Sequence, residues 1–143
     1  AKALEVGASQ VLDPSRCDAL GEIRALTGGL GADVSFECIG NKHTAKLAID
    51  AIRKAGKCVL VGIFEAPSEF NFFDLVSPEK QLLGALAYNG EFADVIAFIA
   101  DGRLDIAPLV TGRIGLEEIV ERGFEELVNN KEHNVKIIVS PGG

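Results

Sequence analysis

Two short apolar runs that end in glycine, joined by a segment of helical periodicity, dominate the first half of the chain. The runs are residues 33–40 and 56–62, and residues 41–53 between them place apolar side chains on one helical face. Short apolar strands joined by a helix form a βαβ unit, whose parallel sheet is covered on both faces. Ligands of such sheets bind beyond the carboxyl ends of the strands, so the glycines there are the first candidates for a site.

The remaining patterns predict further elements on both sides of this unit. In chain order these are a helix end closed by Gly7, a strand at 9–12, a helix around 20–26, a strand at 81–86, a helix at 91–101, an irregular or extended segment at 104–114, a helix at 116–129 and a strand at 135–139. Asn41 is predicted to cap the helix of residues 41–53, with Arg53 and Lys54 in its last turn. Residues 70–76 include five apolar side chains in a stretch broken by proline, and these side chains need cover from the loop or from another subunit.

Charge and composition exclude several classes of protein. Fourteen basic and 21 acidic residues give a formal charge of −7, which does not suit a nucleic-acid partner. No apolar run is long enough to span a bilayer, so no membrane partner is expected. The composition favours a cytoplasmic domain. The chain lacks methionine and starts inside a helical pattern, and our hypothesis is that it is part of a longer protein.

Groups for catalysis or metal binding are sparse. Cys38 and Cys58 fall in predicted buried strands and are interpreted as small core residues. His43, at the start of a predicted helix, and His133, in a polar loop, are interpreted as surface histidines. No cysteine, histidine or carboxylate cluster has the spacing of a metal site. We therefore predict no catalytic residue and no metal ligand in this sequence.

Three glycines carry the case for a ligand site. Gly40, Gly62 and Gly84 each end or interrupt a predicted parallel strand. Glycine lets the backbone approach a ligand closely, and a flat nucleotide could lie across the three strand ends. The alternative is that they are only turn glycines, which is favoured for each one taken singly. Three in register favour a site.

Three longer stretches carry a family resemblance. They are LTGGLGADVSFECIG at 26–40, AIRKAGKCVLVG at 51–62, and ERGFEELVNNK at 121–131 with VKIIV at 135–139. The first two resemble the cofactor domain of zinc-dependent medium-chain alcohol dehydrogenases, and the last resembles the family's closing helix and strand. Its GFEEL segment is similar to that of 2,3-butanediol dehydrogenases in particular. The resemblance implies an α/β fold, an incomplete doubly wound (Rossmann) parallel sheet followed by a short C-terminal return to the catalytic domain.

The resemblance also implies roles for individual residues in binding NAD. Cys38, Ile39 and Gly40 would line the adenine side of the cofactor. Val61, Gly62 and Ile63 would approach the nicotinamide ribose, and Gly84, Ala85 and Leu86 would meet the carboxamide through backbone atoms. Lys136 occupies the place of a basic residue that contacts the pyrophosphate, where relatives often have arginine. Residues 1–89 would be the trailing part of the dinucleotide-binding domain and residues 90–143 a segment of the catalytic domain.

Other parts of the family's machinery are implied to lie upstream. These are the glycine-rich phosphate turn, the acidic residue that reads the ribose, and the zinc ligands. The expected function is thus the C-terminal part of an NAD-dependent, zinc-dependent dehydrogenase of secondary alcohols or diols, a homo-oligomer, with this segment inactive by itself. The alternatives are a zinc-free NADPH-dependent quinone or enoyl reductase, and a non-enzymatic interaction module.

Overall fold

The computed structural model describes residues 2–142, which form two compact units. The central unit is Leu12–Tyr88, and the terminal unit combines the residues up to Val11 with those from Asn89 onward. The elements in chain order are α1 (Lys2–Glu5), α2 (Ala19–Leu26), β1 (Ala32–Glu37), α3 (Lys42–Ala51), β2 (Ile52–Leu60), α4 (Phe73–Val76), β3 (Gln81–Gly84), α5 (Phe92–Ala100), a 3-10 turn (Ala107–Leu109), β4 (Val110–Gly115), a second 3-10 turn (Leu116–Glu118), a π-helix (Ile119–Glu125), α6 (Glu126–Asn129) and β5 (Lys136–Ser140). The mixed α/β class predicted from the sequence is confirmed.

The central unit is built on a three-stranded parallel sheet in the order β1-β2-β3. Glu37 pairs with Leu60, and Leu60 pairs with Gly84. The three strands therefore end at one level, because these paired residues are the last of their strands. The sheet thus presents a single carboxyl edge, as the βαβ pattern predicts.

Helix α3 covers one face of this sheet. Asn41 Oδ1 accepts from the N–H groups of His43 and Thr44 at 2.9 and 3.0 Å, which confirms the predicted cap. The Ser35 hydroxyl donates to the carbonyl of Ala48 at 2.8 Å and ties β1 to the helix. The core below α3 consists of Ile49, Ile52 and Cys58, which are at most 3% exposed.

The opposite face of the sheet is open within the described chain. Residues of a strand alternate between faces, so Val34 and Phe36 point away from Ser35 and α3. These side chains are 43% and 66% exposed, and Leu83 of β3 is 45% exposed. The prediction of a sheet covered on both faces is therefore wrong for residues 2–142. Helix α3 is the helix packed against β1 and β2, and it lies on one face only.

The end of α3 differs from the sequence prediction. The helix stops at Ala51, so Arg53 and Lys54 lie in β2 and not in the last helical turn. Gly31, at φ +100°, packs so closely on this end of α3 that a Cβ there would lie 2.7 Å from the carbonyl oxygen of Ala51. The chain turns directly into β2 at this point, and the Arg53 guanidinium pairs with Asp33 of β1 at 2.6 Å.

Two further predictions in this region are wrong. Residues 9–12 form no strand, since within the described chain they pair with no other strand. Cys38 is exposed because β1 already ends at Glu37, whereas the predicted burial of Cys58 is confirmed. A periodic apolar run does not specify where a strand loses its partner.

The terminal unit contains a parallel pair of strands, β4 and β5, and the predicted helix at 91–101 appears as α5. Residues 116–129 are helical as predicted, but as a 3-10 turn, a π-helix and α6 in succession. Gly123 of the π-helix is buried, and a Cβ there would lie 3.3 Å from Ile114 Cδ1. The missing side chain thus lets this helix lie close to β4. Within residues 2–142, no helix has the length and hydropathy to cross a bilayer.

Candidate functional site

The loops that follow the three parallel strands are joined by backbone hydrogen bonds. The N–H groups of Val61 and Gly62 donate to the carbonyl of Glu37 at 2.8 and 2.9 Å. The N–H of Ala85 donates to the carbonyl of Leu60 at 2.9 Å. The loops after β2 and β3 are thereby each held by the last residue of the preceding strand. The carboxyl edge is consequently one connected surface and not three separate turns.

Gly40 and Gly62 bring the first two loops into backbone contact. Gly40 has φ +90°, and a Cβ at this position would overlap the backbone of Ile63. A Cβ at Gly62 would overlap the backbone N of Gly40 in turn. Packing between the loops therefore requires glycine at both positions, independently of any ligand.

Gly84 differs from these two glycines. A Cβ at Gly84 would meet no atom of the described chain within 4 Å. Turn geometry does not require glycine there either, because Gly84 is not among the residues with positive φ. Of the three predicted site glycines, Gly84 is thus the one whose missing side chain leaves open space beside the sheet edge.

Glu37 is the buried polar group of this edge. Its side chain is 2% exposed, and Oε1 accepts from the N–H of Ile39 at 3.0 Å, from the N–H of Gly40 at 2.9 Å and from the Thr44 hydroxyl at 2.6 Å. Burial opposes ionisation of the carboxyl, but the hydrogen bonds from Thr44 and from the two N–H groups outweigh it and lower the pKa of Glu37. The carboxylate thus fixes the loop of Cys38–Gly40 through hydrogen bonds to its backbone.

The surface of the edge is apolar and exposed. Ile39, Ile63 and Leu86, one from each loop, are 68%, 75% and 81% exposed. Cys38 is also exposed, and Val61 is 41% exposed. Exposed apolar side chains can cover the face of a flat ring, and small-molecule sites are lined mostly by apolar side chains.

The predicted site residues are distributed over both units. Residues 38–40, 61–63 and 84–86 lie together at the carboxyl edge of the central sheet. Lys136 belongs to the terminal unit, where it begins β5 and pairs with Val110. Lys136 is exposed to solvent. The role predicted for Lys136 stays a prediction.

A second concave feature of the central unit lies beside α3. This groove has a volume of about 830 Å³ and is bounded by α3 and by the segment that follows β2. Its apolar lining comes from Leu20, Leu47, Ile49, Leu60, Phe64, Phe70, Phe72 and Leu82. None of the loop residues predicted to bind the cofactor is among the residues that line it.

Within residues 2–142 no three histidine, cysteine or carboxylate side chains are placed to hold an ion together. His43 lies in the first turn of α3, and His133 lies in the turn between α6 and β5. These positions are the ones the sequence predicted for the two histidines.

Sequence reasoning missed Glu37 as part of the site. No role was predicted for this residue, which lies within the predicted strand of residues 33–40. A signal was present in the sequence, since Glu37 is an acidic residue in an apolar strand and a glycine follows three positions later. A buried carboxylate at a strand end needs donors, and the backbone N–H groups of the next turn are the nearest ones.

Comparisons with known proteins identify relatives of this chain. Residues 1–101 match the family model described as zinc-binding dehydrogenase. (R,R)-Butanediol dehydrogenase of Neisseria gonorrhoeae is 38% identical over 141 residues, which are 98% of this chain and 40% of that protein. The crystal structure of 2R,3R-butanediol dehydrogenase from Bacillus subtilis has a TM-score of 0.89 and 36% identity, over 99% of this chain and 40% of that chain.

A third comparison includes a bound cofactor. The structure of a Sinorhizobium meliloti protein bound to NADP has a TM-score of 0.82 and 27% identity, over 97% of this chain and 41% of that chain. The chain thus spans about 40% of the length of the relatives it matches. The family resemblance read from the sequence is confirmed.

Proposed function

The chain belongs to the zinc-binding dehydrogenase family, and from this membership we propose that it supplies part of the cofactor groove of an NAD(H)-dependent dehydrogenase of secondary alcohols or diols. The observation that supports the proposal is the level carboxyl edge of the central sheet, where three hydrogen-bonded loops present apolar side chains and the open space at Gly84. The similarity to (R,R)-butanediol dehydrogenase points to a vicinal diol as the substrate.

Each loop contacts a different part of the dinucleotide. Residues 38–40 bind the adenine side, and residues 61–63 approach the nicotinamide ribose. Residues 84–86 meet the carboxamide through their backbone. The N–H of Ala85 already donates to the carbonyl of Leu60, so the carboxamide uses other backbone groups of this segment. Lys136 gives a positive charge to the pyrophosphate. Bound NAD supplies the chemistry of hydride transfer.

The zinc ion implied by the family does not fit the residues described here. Residues 2–142 contain no cluster able to hold it, so we assign no step through zinc to this chain. We propose that the zinc ligands lie in another part of the whole protein. The contribution of this chain is to bind and orient the cofactor.

The choice of nicotinamide cofactor has a second candidate. A relative of similar fold is bound to NADP, which favours a variant of the proposal in which the phosphorylated cofactor is used. An NADPH-dependent, zinc-free reductase of the same superfamily would share this sheet edge. Metal analysis of the whole protein and a comparison of NAD⁺ with NADP⁺ separate the two candidates.

We propose that the whole protein is a cytoplasmic homo-oligomer acting on a small molecule. Phe72, Phe73 and Val76, around α4, are about 70% exposed and are candidates for the subunit contact (72%, 67% and 69%). Three free cysteines suit a reducing compartment. Light scattering of the whole protein tests the assembly, and a monomer would contradict it.

The decisive experiment measures alcohol oxidation by the whole protein and by this chain. We expect the whole protein to reduce NAD⁺ when 2,3-butanediol is added, measured by nicotinamide absorbance. The 143-residue chain is expected to show no turnover under the same conditions. Turnover by the chain alone would overturn the division of work proposed here, and a whole protein that binds neither NAD⁺ nor NADP⁺ would overturn the dehydrogenase assignment.

A further inference from the structure

We propose that Glu37 is a positioning residue that fixes the first two loops of the cofactor edge relative to each other; this inference rests on the proposed function. Glu37 is the last residue of β1 and touches neither substrate nor reacting atoms in that function. It acts through the backbone of the loops that carry the cofactor contacts. Its two polar groups, the carboxylate and the main-chain carbonyl, serve different loops.

The carboxylate of Glu37 organises the first loop. It accepts hydrogen bonds from the backbone N–H groups of Ile39 and Gly40. The Gly40 nitrogen also lies 3.1 Å from the second carboxylate oxygen, Oε2. These N–H groups follow directly after the end of β1, where no strand partner would satisfy them. The loop therefore takes its shape from the side chain that precedes it.

The main-chain carbonyl of Glu37 organises the second loop. It accepts hydrogen bonds from the backbone N–H groups of Val61 and Gly62. The carboxylate also packs against this loop, because a Cβ at Gly62 would lie 2.6 Å from Glu37 Oε2. One residue thus holds the loop assigned to adenine and the loop assigned to the nicotinamide ribose.

Thr44 anchors the carboxylate from outside both loops. Its hydroxyl donates to Glu37 Oε1 from the first turn of α3, while its backbone N–H donates to Asn41. The orientation of the carboxylate is set by this helix, which is packed on the core. The positions of the loops are therefore fixed relative to α3, a rigid element, and precise ligand positioning requires such support.

Glutamine is the informative replacement for Glu37. It keeps the length of the side chain and one oxygen that can accept the same donors. It loses the negative charge, and hydrogen bonds to a carboxylate are roughly twice as strong as those to a neutral group. Its NH₂ group also replaces the oxygen that faces the N–H of Gly40, so two donors oppose each other. We expect a loosened loop in a folded protein.

The test compares Glu37→Gln with Asp33→Asn in the whole protein. Both changes remove a carboxylate charge from β1 without changing size, but the Asp33 side chain is 83% exposed and is paired with Arg53 away from the loops. For Glu37→Gln we expect the KM for NAD⁺ to rise about tenfold, while kcat and the KM for the diol change less than about twofold. For Asp33→Asn all three constants are expected to stay within about twofold.

Thr44 provides an independent check. Thr44→Val removes the hydroxyl that anchors the carboxylate and should raise the KM for NAD⁺ in the same direction, whereas Thr44→Ser keeps the hydroxyl and should restore it. A structural role alone would lower thermal stability and reduce active enzyme without selecting the cofactor KM. Equal cofactor KM values in Glu37→Gln and Asp33→Asn would overturn the inference.

Amide hydrogen exchange separates failure of this inference from failure of the proposed function. Faster exchange at Ile39 and Gly40 in Glu37→Gln, with unchanged NAD⁺ binding, overturns the positioning role while the dehydrogenase assignment stands. If the unsubstituted protein binds neither NAD⁺ nor NADP⁺ by fluorescence titration, the proposed function fails and the inference fails with it. Faster exchange together with the selective rise in cofactor KM supports both.

Discussion

Lys80 Nζ donates to the backbone carbonyl of Ile49 at 2.7 Å, although the two residues are 31 positions apart in the sequence. Ile49 lies in the last turn of α3, where carbonyls lack a helical partner and positive charge is favourable. Burial lowers the pKa of Lys80, which reflects the desolvation of its ammonium group at this position. The contact ties the segment before β3 to the helix that covers the sheet.

Replacing Lys80 tests how much this contact stabilises the central unit. Lys80→Met keeps the length of the side chain and removes the donor to Ile49. We expect the free energy of unfolding to fall by about 1–2 kcal/mol, because a hydrogen bond from a charged group is lost at a helix end. The exposed Lys54 is the matched position, and Lys54→Met should cost less than about 0.5 kcal/mol. Urea unfolding measures both, and equal losses in the two variants would contradict the prediction.

The contact between the first two loops predicts a large effect at Gly40. Gly40→Ala places a Cβ against the backbone of Ile63 at a positive φ. We expect a loss of about 2–4 kcal/mol, because both the overlap and the backbone strain must be relieved. The measurement is again the urea unfolding midpoint. A loss below about 1 kcal/mol would mean that the two loops can separate at little cost.

At Gly84 we expect a substitution to affect cofactor binding more than stability. Gly84→Ala fills open space at ordinary backbone geometry, so stability should change by less than about 1 kcal/mol. If the carboxamide of the cofactor approaches this strand end, the added methyl group should weaken NAD⁺ binding at least severalfold. Fluorescence titration of the whole protein with NAD⁺ measures the affinity. Unchanged affinity together with unchanged stability would favour a simple turn glycine over a ligand contact.

The lowered pKa of Glu37 predicts a dependence of stability on acid. The ordinary pKa of this carboxyl is 4.5, and in the folded protein it is lower. As the pH falls below 4.5, the unfolded state binds a proton before the folded state does, so the stability that Glu37 contributes is present above that pH and lost as the pH falls through the folded pKa.

Glu37→Gln isolates this contribution from those of other carboxyls. Asp13, Glu91, Asp101 and Glu118 also have lowered pKa values, and they remain in the variant. We therefore expect the difference in unfolding free energy between the original chain and the variant to shrink between pH 5 and pH 3, a window placed about the ordinary value. Urea midpoints across this range measure it. A difference that stays constant with pH would show that Glu37 is equally protonated in both states.

Strands β1 and β2 and helix α3 could be predicted because their signals are local. The alternation around Ser35, the Asn41 cap and the apolar run through Cys58 each determine structure from neighbouring residues. The level strand ends also followed from the pattern, since parallel strands with similar crossovers end on one side of a sheet. These predictions led to the carboxyl edge of the central sheet as the candidate site, and binding of a ligand there stays a prediction.

The features that were missed depend on contacts distant in sequence or on competing geometry. Residues 9–12 read as a strand but have no partner in the described chain, and only the sheet could reveal that. The end of α3 depends on Gly31 and Lys80, which reach it from both sides in the sequence. The role of Glu37 depends on its burial, and the residue type alone does not determine whether a glutamate is buried.

The strands of the central sheet lie side by side in chain order, with β1 beside β2 and β2 beside β3. Each pairing closes one crossover connection, and the entropy lost in closing a loop grows slowly with its length. The sheet can consequently grow in the order of synthesis, with β1 and β2 docked before β3 arrives. In that order of assembly, the edge that carries the three loops would be complete only when the N–H of Ala85 donates to the carbonyl of Leu60.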